Sequence, residues 1–154
     1  MEFIQKWFSK PAEKMYVGFE DIKYAIYHTD DSILINTLSS FEQECLISRT
    51  VPHHQEETLF NEILDKNDPV KWTVLIYGKN CADETVHTKY TQLKKLGFCS
   101  VYIYLGGLFE WLLLQDIYGV CEFPTTTLCK DLLKYRADSI LKGIVKRREI
   151  PKIM

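Results

Sequence analysis

The run Thr73-Val74-Leu75-Ile76-Tyr77 constrains the fold more than any other part of the chain. Its apolar and β-branched residues follow one another without polar alternation. That pattern fits a strand buried on both faces, the usual state of a strand in a parallel sheet. The run ends at Gly78. Beyond it Ala82, Val86, Tyr90, Leu93 and Leu96 fall on one helical stripe, with Lys89, Lys94 and Lys95 outside it, and Gly97 stands where a helix C-terminal cap is expected. A strand covered on both faces, followed at once by an amphipathic helix, calls for βαβ architecture.

The rest of the chain keeps the same alternation. Residues 15–17 read as a short extended entry and 19–28 as a helix with Ile22, Ala25 and Ile26 on one face. Ile33-Leu34-Ile35 follows the turn residues Asp30-Asp31-Ser32 and reads as a buried strand. Residues 46–51 give a second strand candidate, 58–64 a helix, 65–69 a loop and 98–105 a further strand. Gly106-Gly107 then turns the chain into a helix carrying Phe109, Leu112, Leu113 and Ile117. From Pro124 onward the pattern reads as helical, with Leu128, Leu132 and Leu133, then Ile140, Leu141, Ile144 and Val145. The expected fold class is α/β: a central parallel sheet of about five strands flanked by helices on both faces. Residues 73–77 should be central, with 33–35 as a neighbour in the same sheet. The domain spans 15–120. An N-terminal helical extension covers 1–14, where Phe3, Ile4, Trp7 and Phe8 share a face before Pro11. A C-terminal helical extension covers 121–154 and ends in the basic stretch 142–152 with Arg147 and Arg148.

Composition removes several classes of function. With 154 residues and 46% hydrophobic content, one domain with a real core is expected rather than a disordered chain. A net charge of −2 supplies no global field toward nucleic acid. No apolar run is long enough to span a bilayer, so neither a nucleic-acid nor a membrane partner is expected. The 5 cysteines are odd in number and contain no Cys-x-x-Cys pair. With no secretory leader expected, reduced thiols and a cytoplasmic location follow. Cys45 and Cys99 sit in apolar strand contexts and read as inert core thiols, while His53-His54 reads as a solvent-facing loop. No ligand spacing suggests a metal, and no motif implies a cofactor.

Two segments together resemble the rhodanese-like domain. One is Val74-Leu75-Ile76-Tyr77-Gly78-Lys79-Asn80-Cys81-Ala82-Asp83-Glu84, a buried strand whose loop opens a helix. The other runs from Lys95 through Leu96-Gly97-Phe98, a strand and Gly106-Gly107 to Trp111, and matches a helix ending in Leu-Gly-Phe/Tyr, then a strand, Gly-Gly and a Trp four residues on. Upstream, residues 32–38 resemble the family's first strand, and 45–52 stand where it has a His-Ile-Pro-Gly-Ala segment. The resemblance covers residues 16–119. Gly106, Gly107 and Trp111 are its structural motif, and Trp111 reads as a core residue independently of any family.

The resemblance also implies what has been lost. Active members carry a loop Cys-x-x-Gly-x-Arg, whose thiolate accepts a sulfane sulfur while backbone N–H groups stabilise its charge. In this chain the nucleophile position is Gly78, the glycine position Cys81 and the arginine position Asp83. The upstream Asp-x-Arg has become Asn36-Thr37-Leu38. A second register starts the loop at Cys81, the sole candidate nucleophile. There Asp83 and Glu84 supply the wrong charge for an anionic donor, and His87 stands where a Cys-x5-Arg phosphatase loop needs Arg. Lys79 is the loop's only cation. Alternatively Asn80 or Asp83 caps the following helix and Cys81 is an ordinary small residue. The expectation is a degenerate rhodanese-like domain acting as a binding or regulatory module for a protein partner. The alternatives are a sulfurtransferase carrying its persulfide on Cys81, and a structural or assembly subunit. The oligomeric state is not legible.

Overall fold

The computed structural model describes residues 15–142. The expected N-terminal helix and most of the basic end lie outside that range. Four strands form one sheet: β1 (Tyr16–Val17), β2 (Ser32–Asn36), β3 (Thr73–Tyr77) and β4 (Ser100–Tyr104). Their order is β1-β4-β3-β2 and every pairing is parallel. Strand β3 is central, and Ile33, Leu34 and Ile35 pair with Val74, Leu75 and Ile76 as neighbours.

The helices are α1 (Phe19–Tyr27), α2 (His53–Asp65), α3 (Thr85–Lys95) and α4 (Gly107–Tyr118). Because side chains alternate along a strand, each strand feeds both faces of the sheet. On one face Leu34, Leu75, Tyr77 and Tyr104 meet Ile22 and Ile26 of α1 and Leu108, Trp111 and Leu112 of α4. On the other, Ile33, Ile35, Val74, Ile76, Val101 and Ile103 meet Phe60 and Ile63 of α2 and Val86 and Leu93 of α3. Two helices therefore cover each face, which is why the strand sequences show no polar alternation.

Four local expectations change. Residues 46–51 do not form a fifth strand. They make only two single bridges, Leu34 to Thr50 and Ile47 to Thr125, because the chain turns again at Arg49, whose φ is +70°. Helix α2 begins earlier than expected, so exposed His53-His54 belong to its first turn rather than to a loop. Residues 121–138 contain turns and irregular backbone, not helix; helical backbone resumes at 140–142. Phe123 and Tyr135 are buried there, so this segment packs as a strap over the α1/α4 face, held by specific anchors rather than by a helical stripe. Cys45 is buried, but Cys99 is exposed just ahead of β4 and is not a core thiol.

Helix α3 ends as its sequence suggests. Phe98 N–H donates to Leu93 O and Gly97 N–H to Lys94 O, both at 3.2 Å, and Gly97 has φ +106°. This is a Schellman ending, which favours glycine at that position. Trp111 is fully buried. Its rings meet Tyr104 and Phe123 edge-on, and its Nε1 donates to Pro124 O at 3.1 Å. The indole thus joins α4, the sheet and the strap. Trp111→Ala should lower stability by about 3–5 kcal/mol, the usual cost of deleting a buried large aromatic. Chemical denaturation monitored by circular dichroism measures it, and an unchanged midpoint would contradict the role given to Trp111.

Candidate functional site

The carboxyl ends of β2 and β3 lie side by side, and the chain leaves both toward the same crevice. In open α/β sheets that is the usual location of a ligand site. Thr37 N–H, just past β2, donates to Tyr77 O at 3.0 Å, and the Thr37 and Thr85 hydroxyls hydrogen-bond at 2.8 Å. A cavity of about 570 Å³ opens there, with Thr37, Glu42, Lys79, Asp83, Thr85 and Asp138 in its wall.

The loop 78–84 is organised by two of its own side chains. Asn80 is buried; its Oδ1 accepts Ala82 N–H and its backbone O accepts Asp83 N–H. Its Nδ2 reaches across to donate to Tyr135 O at 2.9 Å, so the strap pins the loop. Asp83 turns back into the loop. Its Oδ2 accepts Lys79 N–H at 3.0 Å, and its Oδ1 accepts both Thr85 N–H, at 3.1 Å, and Thr85 Oγ1. Asp83 therefore reaches the start of α3 and satisfies a first-turn N–H. Residues 82–84 remain a turn, and α3 starts at Thr85 rather than at Ala82.

This arrangement fixes the surroundings of Gly78. A Cβ added there would lie 2.4 Å from Asp83 Oδ2, 2.9 Å from its Cγ and 3.1 Å from Thr37 Oγ1. The space that a side chain at position 78 would enter is filled by the Asp83 carboxylate.

The loop is also clamped from behind by the Gly-Gly turn. The first-turn amides of α4 donate into it, Leu108 N–H to Gly78 O at 2.9 Å and Phe109 N–H to Lys79 O at 2.8 Å. Gly107 has φ +64°, and a Cβ on it would stand 2.7 Å from Gly78 O and 3.0 Å from Asn80 N. Two motifs separated by some thirty residues thus form one backbone-to-backbone contact that only glycine permits.

The electrostatics of the cavity are acidic. Glu42, Asp83 and Asp138 line it, and the Lys79 ammonium is held by Glu42 at 2.9 Å. The hydrogen bond to Glu42 holds Lys79 above its ordinary pKa, with the Asp83 and Asp138 charges adding to the effect against partial burial. For Glu42, burial alone would raise the carboxyl. Hydrogen bonds from Lys79 and Ser39 outweigh it and hold Glu42 below its usual range.

Cys81 is exposed and lies outside the cavity wall. The amides of Lys79, Ala82, Asp83 and Thr85 are taken by Asp83 and Asn80, not by its sulfur. Glu84 is exposed at the N-cap of α3 and makes no side-chain cap hydrogen bond. His87 faces β1, where it hydrogen-bonds Tyr16 Oη at 2.9 Å and meets its ring edge-on. Two participants had no local signal in the sequence. Glu42 comes from a 3-10 turn after β2, and Tyr135 lies 55 residues beyond the side chain it anchors. Among the described residues no group of His, Cys, Asp and Glu is placed to hold a metal ion, and no helix is long and apolar enough to cross a membrane.

No family model matches the chain, and no curated protein matches it. Among solved structures, the BH2092 protein from Bacillus halodurans, a structural genomics target, superposes with a TM-score of 0.53. The two share 15% identity, and the match covers 94% of each chain. At that identity the likeness concerns the fold alone.

The clamp yields a direct expectation. Gly107→Ala should cost about 2–4 kcal/mol, combining a left-handed residue with a close backbone approach. Equilibrium urea unfolding reads the loss; a variant as stable as the parent would show that the two backbones can separate at little cost.

Proposed function

We propose that the chain is a divergent rhodanese-like domain that has lost sulfur transfer and serves as a cytoplasmic binding or regulatory module for a protein partner. One observation carries the reading: the Asp83 carboxylate occupies the loop where the family's chemistry would stand. In the register of the resemblance, position 78 would hold the nucleophile and position 83 the cation. Here a side chain at 78 would start 2.4 Å from Asp83 Oδ2. The Lys79 N–H that could face an anionic sulfur is already donated to that same oxygen.

Charge supports the same conclusion. An anionic donor entering the cavity would meet Glu42, Asp83 and Asp138, with the Lys79 ammonium engaged by Glu42. Like charges at such range cost on the order of several kcal/mol near an effective dielectric of 20. Each 1.4 kcal/mol is about tenfold in affinity, so this charge pattern disfavours a thiosulfate-like dianion and supports the reading. A protein partner suits the rim better, because Ile140 stands exposed in the cavity wall and exposed Phe41 directly precedes the lining residue Glu42.

Purified protein should show no thiosulfate:cyanide sulfurtransferase activity above that of Cys81→Ser. Cys81 should alkylate at the pace of the other exposed thiols, Cys99 and Cys121. Rapid labelling confined to Cys81, together with sulfur transfer that disappears in Cys81→Ser, would overturn this reading in favour of a Cys81 persulfide carrier.

A further inference from the structure

A pair of thiols lies away from Cys81, where the strap meets the chain after β2. Residues 44–48 run beside 124–127. Thr126 N–H donates to Leu46 O at 2.8 Å, Ser48 N–H donates to Pro124 O at 3.1 Å, and Ile47 forms an antiparallel bridge to Thr125. That register sets Cys45 opposite Thr127, and the Cys45 thiol donates to Thr127 O at 3.3 Å. Cys129 is two residues further on, with its Sγ against Asp131 O at 3.4 Å. Cys45 is buried in the apolar cluster of the α1/α4 face, and half-buried Cys129 packs against that cluster. Burial raises the Cys45 pKa, and the Cys129 sulfur raises it further, as two neighbouring acids do.

The Cys45 thiol, held on Thr127 O, thus lies two residues along the strap from Cys129, and both side chains belong to one apolar cluster. A disulfide closes at a Cα separation of about 4.4–6.8 Å. Residues 126–127 are bends and 128–129 irregular backbone rather than ladder, so closure asks only for a local shift of the strap. The same strap carries Tyr135, whose carbonyl holds Asn80 in the loop after β3.

We propose that Cys45 and Cys129 form a dithiol that closes to a disulfide on exposure to a low-molecular-weight disulfide, fixing residues 121–138 against the loop 78–84. The pairing is independent of whether the chain transfers sulfur. The more accessible Cys129 thiolate attacks the small disulfide, forming a mixed disulfide and expelling one thiolate. The Cys45 thiolate then attacks the Cys129 sulfur and expels the second. Two protein thiols are oxidised, the small disulfide is reduced to two thiols, and these take up the two protons.

The probe is oxidised glutathione applied to the full chain, followed by acid quench, alkylation under denaturing conditions and peptide mapping by mass spectrometry. The expected result is a Cys45–Cys129 cross-linked peptide, a raised denaturation midpoint and slower hydrogen exchange at the Lys79 and Ala82 amides, all reversed by dithiothreitol. Cys129→Ser, a change at a half-buried site that should leave the fold intact, must lose all three responses. Glutathione persisting on Cys129 while Cys45 remains alkylatable would overturn the pairing. A cross-link that forms without slowing exchange at those amides would overturn the coupling to the loop.

Discussion

The Asp83 carboxylate is the interaction on which the carboxyl end of the sheet depends. It accepts the Lys79 amide with one oxygen and the start of α3 with the other. A carboxylate in such a position draws on charge-assisted hydrogen bonds and on the positive end of the helix dipole. Its place requires that position 78 have no side chain, so the glycine at the end of β3 and the acid five residues later are one structural decision. The result is a loop whose amides are taken by its own side chains and backbone, Lys79 N–H by the Asp83 carboxylate and those of Ala82 and Asp83 by Asn80.

That loop is held at three points, and each uses a different kind of force. From behind, α4 donates its first amides to Gly78 O and Lys79 O, a contact open only to a glycine at 107. From above, the strap supplies Tyr135 O to Asn80. At the side, Glu42 and Lys79 form an ion pair at the rim; it is partly exposed and worth at most about 1 kcal/mol. Backbone contacts and buried amide hydrogen bonds therefore set the loop's shape, and the ion pair sets its charge. Trp111 links these parts to the core by packing on Tyr104 and Phe123 while its indole N–H anchors the strap at Pro124.

The sequence made the layered core legible because β2, β3 and β4 are buried on both faces, and the uninterrupted apolar runs are the direct consequence. The Schellman ending at Gly97 was legible for a similar reason, since it is a local geometry with a local residue preference. The strap was not. Its leucines suggested a helix, yet its position is set by Phe123, Tyr135 and carbonyls that serve Trp111 and Asn80, contacts made over long sequence distances. Residues 46–51 carried strand-like composition, but Thr50 turns its hydroxyl to Tyr77 Oη and Ile47 donates its N–H to the same phenol. A side chain from β3 thus takes the place of a ladder partner. In the loop itself, residue types alone gave a glycine at 78 and an acid at 83; that the Asp83 carboxylate occupies the space beside Gly78 needed the three-dimensional path.

The most direct test of the central claim is a double-mutant cycle on Gly78 and Asp83. The Gly78 backbone is not left-handed, so alanine there meets no conformational penalty of its own and is opposed by the Asp83 carboxylate, with Thr37 Oγ1 a lesser obstacle. Gly78→Ala should cost about 1–3 kcal/mol in the parent chain, the range for overpacking a closed site. In an Asp83→Ala background most of that cost should vanish, leaving a coupling of about 1 kcal/mol or more. Strictly additive losses would contradict the account, because they would mean that the carboxylate does not occupy the space at Gly78.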